Sequence, residues 1–178
     1  MLPPEVTKAI DAGAGARRIH FIGIHTAGTP GGDIDVSATA IRAFHMAPKP
    51  KGNGWLDIGY NFVVRKSGLV ELGRPLARFP AHIEGFNTES IGVCFSGNGD
   101  LADFSPAQYL FGLDLVRELC ERFGVEHAHV IGHREAPSFG APWTSKTCPG
   151  RLVDMAEFRA RLVPYGPPLP PARAQAGT

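Results

Sequence analysis

The sequence lacks the features that mark several large functional classes. Its 18 Lys and Arg residues nearly balance its 17 Asp and Glu residues, and a net charge of +1 is not the basic excess of a nucleic-acid-binding protein. It also has no run of about 18 apolar residues, the minimum for a membrane-spanning helix. We therefore expect no nucleic-acid partner and no stable membrane association.

An export signal is also lacking at the start of the sequence. Met1–Gly15 has no basic segment followed by an apolar core, the pattern of a signal peptide. We expect the protein to be made in the cytoplasm and to reach any target outside the cell only after release by another agent.

Cysteine is scarce, and its count is odd. Three cysteines cannot form a fully paired disulfide framework, so at least one thiol is free or bound to something else. Cys94 and Cys120 lie in apolar runs and are predicted to be small buried residues. Cys148 lies in a polar loop between Lys146 and the Pro149–Gly150 turn, where the nearby cation is expected to favour the thiolate.

The length and the pattern of the chain indicate a single α/β domain. The 178 residues suffice for one core, and alternating strand and helix patterns predict a mixed central β-sheet flanked by helices. Residues 1–16 are predicted to be a flexible extension, and the Pro-rich residues 164–178 a disordered tail. The domain would then span 17–163, and we expect it to be a monomer.

Local patterns predict the individual elements of this domain. β-branched and aromatic runs predict strands at Arg18–His25, Tyr60–Val64, Leu69–Gly73, Ser90–Phe95 and His127–His133. Apolar residues at three- and four-residue spacing, together with capping residues, predict helices at Asp35–Met46, Pro106–Phe123 and Asp154–Leu162.

Two of the seven histidines stand out by their position. His25 and His133 each lie where an apolar strand gives way to a loop rich in Gly and Pro, a place where sheets often present reactive groups. Four others are expected to be structural: His20, His45, His127 and His129.

Together with Cys148, these two histidines match the ligand types of a hydrolytic zinc site. Such a site has three protein ligands and one open position, whereas a structural zinc site commonly uses paired short Cys spacings that this sequence lacks. Two other interpretations stay open on the residues alone. Cys148 and His133 could be a nucleophile and its base, or the histidines could only hydrogen-bond at the sheet edge.

Six motifs occur in the same order as in one protein family. They are F-I-G-I-H-T-A (Phe21–Ala27), G-W-L-D-I-G-Y-N-F-V-V (Gly54–Val64), A-H-I-E-G-F-N-T-E-S-I-G-V (Ala81–Val93), F-S-P-A-Q (Phe104–Gln108), G-H-R-E (Gly132–Glu135) and K-T-C-P-G (Lys146–Gly150). They cover nearly the whole domain, which resembles zinc-dependent N-acetylmuramoyl-L-alanine amidases of the type 2 amidase, or peptidoglycan-recognition-protein, fold. The phrases W-L-D-x-G-Y and S-I-G-V-C are most similar to the phage amidases, or endolysins.

The resemblance implies a role for each matching residue. His25, His133 and Cys148 would bind one Zn²⁺ ion, and Tyr60 and Lys146 match the catalytic tyrosine and lysine of the phage type.

Three further positions are implied to contact the substrate. His82 and Asn87 match residues of the peptide groove, and Trp143 lies in a loop between His133 and Cys148 that is longer than in the compact phage enzymes.

The implied activity is hydrolysis of the amide bond between N-acetylmuramic acid and the first L-alanine of the peptidoglycan stem peptide. Other members of the family have a glutamate at the position of Cys94 and an aspartate at that of Cys148, so these cysteines favour the phage branch, which lyses the host. The alternatives are a cytoplasmic amidase that recycles muropeptides and a protein of the same fold that binds peptidoglycan without cutting it.

Overall fold

The computed structural model describes residues 2–163, and the predicted tail at 164–178 lies outside them. The helices are α1 (Pro4–Gly13), α2 (Ala38–Met46), α3 (Pro106–Phe123) and α4 (Met155–Ala160). The strands are β1 (Phe21–Thr26), β2 (Phe62–Val64), β3 (Val70–Leu72), β4 (Ser90–Phe95) and β5 (Val130–Gly132). Short 3-10 helices flank β5 at His127–His129 and His133–Phe139, so the strand predicted at His127–His133 is confined to its centre.

The five strands form one mixed sheet in the order β3-β2-β4-β1-β5. The β2–β3 hairpin is antiparallel, and every other pair is parallel. The predicted α/β architecture is therefore confirmed. Because parallel strands end at the same edge of a sheet, His25 near the end of β1 and His133 directly after β5 lie at one edge.

Side chains alternate between the two faces of this sheet. On one face, Ile22 and Ile24 of β1 pack with residues of α1, α3 and α4 in the main core. The opposite face presents the intervening residues, and there His25 lies in register with Cys94 of β4. This second face carries the candidate site, because both residues lie at its carboxyl edge.

Helix α3 shows how closely local signals can specify an element. Ser105 accepts a hydrogen bond from the Gln108 backbone N–H, and the Gln108 side chain accepts one from the Ser105 N–H, which together form a capping box. The Gln108 amide group also donates to the backbone oxygens of Val64 and Ser96, at 3.1 and 2.9 Å. The helix start is therefore attached to the ends of β2 and β4.

The prediction of a flexible extension at residues 1–16 is wrong for most of that segment. Pro4–Gly13 forms α1, whose Val6 and Ile10 side chains are completely buried in the main core. The four-residue spacing of Val6 and Ile10 places both on one helix face, and Pro4 suits a first helical turn. The Ala- and Gly-rich composition concealed this pattern.

Among residues 2–163, the helices are too short or too polar to cross a membrane.

Helix α2 is attached to the β2–β3 hairpin through one arginine. Arg65 donates to both carboxylate oxygens of Asp35, at 3.0 and 2.8 Å, and to Glu71 at 2.8 Å. Glu71 also accepts a hydrogen bond from the Ala38 N–H at the start of α2. The hydrogen bonds from Arg65 lower the pKa of Asp35 to about 2.

We predict that Ile10→Ala lowers the free energy of unfolding by about 2–4 kcal/mol, because it removes a fully buried side chain and leaves a cavity. Lys8→Ala, at an exposed position of the same helix, is the control and should change stability by less than about 0.5 kcal/mol. Chemical denaturation followed by circular dichroism measures both, and equal stability of the two variants would contradict the packing of α1.

A second prediction concerns pH. Because the folded pKa of Asp35 lies below its ordinary value of 3.8, its ion pair stabilises the protein above that pH and is lost as the pH falls toward 2. Asp35→Asn should therefore lower the free energy of unfolding at pH 7 by roughly 1 kcal/mol, a value discounted for solvent screening at this partly exposed site. The difference should shrink as the pH falls from 3.8 and be lost below about pH 2, and denaturation across this pH range tests this.

Candidate metal centre and substrate groove

The structure brings the three predicted metal ligands together. One donor atom from each of His25, His133 and Cys148 lies within 4.8 Å of the other two. The Nδ1 atom of His25 is 3.5 Å from the Cys148 sulfur. Tetrahedral zinc, with Zn–N about 2.1 Å and Zn–S about 2.3 Å, would separate such atoms by about 3.6 Å, so the donor set fits this ion.

Burial sets the protonation states of the two clustered histidines. It lowers the pKa of His25 well below 6.5, helped by the nearby His82, His133 and Lys146. It also lowers the pKa of His133 to about 4, with a further contribution from the charge of Lys146. Both imidazoles are therefore neutral at neutral pH, the form in which histidine binds a metal.

The expectation that Lys146 favours a Cys148 thiolate is wrong for the unliganded thiol. Lys146 does lower the pKa of Cys148, but burial outweighs it and raises that pKa to about 11. A buried thiol with a raised pKa is a poor nucleophile, whereas a coordinating metal deprotonates a thiol directly.

Two residues that sequence reasoning missed hold the Cys148 loop in place, and each directly follows one of the two candidate histidine ligands. Thr26 donates its hydroxyl to the Pro149 oxygen at 2.9 Å, and its backbone N–H acts to lower the pKa of the Cys148 thiol. Arg134 donates its N–H to the Cys148 oxygen at 2.8 Å. Its guanidinium donates to the carbonyl oxygens of Thr147, Gly150 and Val153. Both residues belong to the motifs that contain the histidines. Their roles could not be read from the sequence, because their hydrogen-bond partners lie far away along the chain.

Tyr60 lies between the candidate metal site and helix α2. Its ring centre is 5.1 Å from that of His25 and 5.5 Å from that of His45. Burial of the phenol, together with the nearby Cys94 and Cys148 sulfurs, raises the pKa of Tyr60 well above 10. The hydroxyl is therefore protonated at neutral pH and can donate a hydrogen bond.

His45 was expected to be a structural residue, and its contacts agree with that. Its Nδ1 atom accepts a hydrogen bond from the Gly59 N–H at 3.0 Å, and its ring lies 4.7 Å from that of Trp55. His45 thereby supports the segment that carries Tyr60. Cys94 and Cys120 are buried, as predicted.

His82 and Asn87, expected in the peptide groove, are engaged mainly with the protein itself. The ring nitrogens of His82 lie 2.8 Å from His25 Nε2 and 2.8 Å from the Ser90 hydroxyl. The Asn87 side-chain oxygen accepts hydrogen bonds from the His82 and Ile83 N–H groups, at 2.8 and 3.1 Å. Both residues border the groove, but these polar atoms are already paired.

A groove with a volume of about 380 Å³ runs beside His133. Trp143 is 81% exposed and lines this groove, as does Lys146. The remaining lining residues come from three separate stretches of the chain, which are Trp55, then Ala81–Glu84 with Asn87, and then Ala136 with Ala141, Pro142 and Thr144. The long loop between His133 and Cys148 therefore forms one wall of the groove.

The chain is similar to known amidases and endolysins. The family model described as N-acetylmuramoyl-L-alanine amidase matches residues 15–151. An endolysin of Klebsiella phage KP32 is 34% identical over 118 residues, covering 60% of this chain and 72% of that endolysin. The chain thus belongs to the N-acetylmuramoyl-L-alanine amidase family.

Solved structures show the same fold. The endolysin amidase LysCS of Clostridium intestinale superposes with a TM-score of 0.68 at 24% identity, covering 83% of this chain and 85% of that one. Bumblebee PGRP-SA superposes with a TM-score of 0.61 at 27% identity, covering 76% of this chain and 77% of that one. The fold is therefore shared by amidases and peptidoglycan recognition proteins.

We predict that Cys148→Ser abolishes stoichiometric zinc binding, because it replaces the only sulfur among the three clustered donors. Cys120→Ser, which changes a buried cysteine of α3, is the matched control and should retain one zinc per chain. Elemental analysis after gel filtration measures the zinc content, and full zinc occupancy in Cys148→Ser would contradict the ligand assignment.

Proposed function

We propose that this protein is a zinc-dependent N-acetylmuramoyl-L-alanine amidase that degrades peptidoglycan as a phage-type endolysin. The observation that carries the proposal is the cluster of His25, His133 and Cys148 beside an open groove. Family membership and the similarity to a phage endolysin support the reaction and the biological role.

The ligand set supports a catalytic rather than a structural metal. Three protein donors leave one position open, as hydrolytic zinc sites require. Zinc in such a site lowers the pKa of bound water to about 7 and polarises the scissile carbonyl group. The bond cleaved would join the lactyl group of N-acetylmuramic acid to the first L-alanine of the stem peptide.

Tyr60 and Lys146 are the residues we assign to stabilise the transition state. Negative charge develops on the carbonyl oxygen as water adds, and a positioned donor or cation stabilises it. The protonated Tyr60 hydroxyl can donate a hydrogen bond there, since its ring lies next to His25. Lys146 lines the groove, and its charge acts on all three ligand side chains.

The groove supports an extended glycopeptide as substrate. Two tryptophans, Trp55 and Trp143, provide apolar surface, while Glu84, Asn87 and Thr144 provide polar groups along the same groove. This mixture suits a ligand with both sugar and peptide parts. As an endolysin, the protein would act on the cell wall after release from the cell in which it is made.

The proposal is tested by digesting purified sacculi with the zinc-loaded protein and identifying the products by mass spectrometry. We expect new N-terminal alanine groups and free lactyl carboxylates, and we expect chelation to stop the reaction and added zinc to restore it. New reducing sugar ends would identify a glycosidase instead. Activity that survives zinc removal but is lost on alkylation of Cys148 would identify a thiol nucleophile.

We predict that Tyr60→Phe and Lys146→Met each lower kcat by about 100- to 1000-fold, because each removes one group that stabilises the developing charge. Both variants should retain stoichiometric zinc, since neither residue is a ligand. Lys51→Met, at an exposed position in the loop after α2, is the control for loss of a lysine. Release of soluble muropeptides measures the rate, and a change of less than threefold in either variant would remove that residue from the mechanism.

A further inference from the structure

The imidazole of His82 packs against the sheet directly over two glycines, whose lack of side chains leaves room for the ring. Gly23 of β1 and Gly92 of β4 are direct neighbours in the parallel register. A Cβ atom built on Gly23 would lie 2.7 Å from His82 Cε1, and one built on Gly92 would lie 2.9 Å from His82 Cγ. Carbon atoms do not approach so closely, so any larger residue at either position would displace the ring.

Ser90 determines which nitrogen of His82 carries the proton. The Ser90 hydroxyl lies 2.7 Å from the Phe86 carbonyl oxygen, which can only accept, so the hydroxyl must donate there. Ser90 then has only lone pairs left for His82 Nε2, which lies 2.8 Å away. The Nε2 atom of His82 is therefore the one that carries hydrogen.

This assignment extends to His25. A neutral His82 with hydrogen on Nε2 has a lone pair on Nδ1, and that atom lies 2.8 Å from His25 Nε2. His25 must then carry hydrogen on Nε2 and donate it to His82. The lone pair of His25 is thereby assigned to Nδ1, which is the atom 3.5 Å from the Cys148 sulfur.

The segment that carries His82 is itself anchored at several points. The Asn87 side chain accepts hydrogen bonds from the His82 and Ile83 N–H groups. Arg17 donates to the carbonyl oxygens of Asn87 and Ser90, at 3.4 and 2.7 Å. His82 is therefore held by the sheet below it and by its own loop, independently of any substrate.

We propose that His82 is a positioning residue, which orients the His25 ring and assigns its tautomer so that Nδ1 faces the metal position. The hydrogen bonds then form a chain in which His25 donates to His82, His82 to Ser90, and Ser90 to the Phe86 carbonyl oxygen. This chain leaves the Nδ1 lone pair of His25 facing the metal position. Outer partners of this kind typically improve metal affinity about 10- to 100-fold. The inference rests on the proposed zinc site, and it assigns His82 to the metal rather than to the substrate.

The tautomers can be measured in the unmutated protein, without any variant that could misfold. Long-range ¹H–¹⁵N correlation spectra should show hydrogen on Nε2 of both His82 and His25. Hydrogen on Nδ1 of His82 would overturn the inference, because the chain would then run in the opposite direction.

Two variants of His82 separate hydrogen bonding from packing. His82→Phe keeps a ring on the glycine pair but removes both polar atoms, and we expect it to weaken zinc binding about 10- to 100-fold in competition with a chromophoric chelator. His82→Gln keeps an acceptor and a donor, and should recover part of this loss. His20→Phe, just before β1, is the control and should bind zinc as the unmutated protein does.

Replacement of zinc by cobalt adds a measurement that would not change if His82 only stabilised the fold. The visible spectrum of the Co²⁺ form should shift in His82→Phe, since the ligand ring loses its orientation. Unmutated affinity together with an unchanged spectrum in His82→Phe would overturn the inference while leaving the zinc site intact. Absence of stoichiometric zinc in the unmutated protein would instead overturn the proposed function itself.

Discussion

The parallel pairing of β1 with β4 on one side and β5 on the other is the constraint on which the rest of the site depends. It places His25 beside Cys94, and Ile24 beside Gly132, the residue before His133. Because successive side chains point to opposite faces, a slip of one residue would turn His25 into the main core and bring Ile24 to the site. The hydrophobic core therefore also determines which side chains reach the candidate metal site.

The second histidine and the cysteine depend on this sheet through their neighbours in sequence. Thr26 continues β1 and hydrogen-bonds to the Cys148–Pro149 segment, while Arg134 follows His133 and hydrogen-bonds to several carbonyl oxygens of the same loop. The backbone N–H and C=O groups of an irregular loop are not paired within a helix or sheet. Hydrogen bonds from side chains therefore determine the conformation of this loop. Each histidine motif thus supplies one candidate ligand and one residue that positions the loop carrying the third.

The parts of the fold with strong local signals could be predicted from the sequence. Helix α3 begins and ends at the predicted residues, since Ser105 and Gly124 cap it, and β4 matches its apolar run. Helix α1 was missed because Val6 and Ile10 are the two large side chains that mark its buried face, and because the surrounding Ala- and Gly-rich sequence resembles a linker. The three candidate ligands, which the structure brings together, could be selected because two lie at strand ends and the third is a cysteine in a polar loop.

Features that depend on partners from distant segments could not be predicted in this way. The raised pKa of Cys148 comes from burial, which outweighs the adjacent lysine. The position of His82 depends on Gly23, Ser90 and Gly92, which come together only when β1 and β4 pair. The family resemblance identified His82 as a site residue, but its hydrogen-bond partners become visible only in the folded chain.

The long segment between His133 and Cys148 has a mechanical consequence. Its two ends are joined by the hydrogen bond from the Arg134 N–H to the Cys148 oxygen, and an ion bound by His133 and Cys148 would close the same ring a second time, much as a disulfide closes a loop. The groove wall at Ala141–Thr144 belongs to that ring. The Arg134 guanidinium also donates to the Thr147 and Gly150 oxygens, so an ion would reinforce a wall that hydrogen bonds already hold.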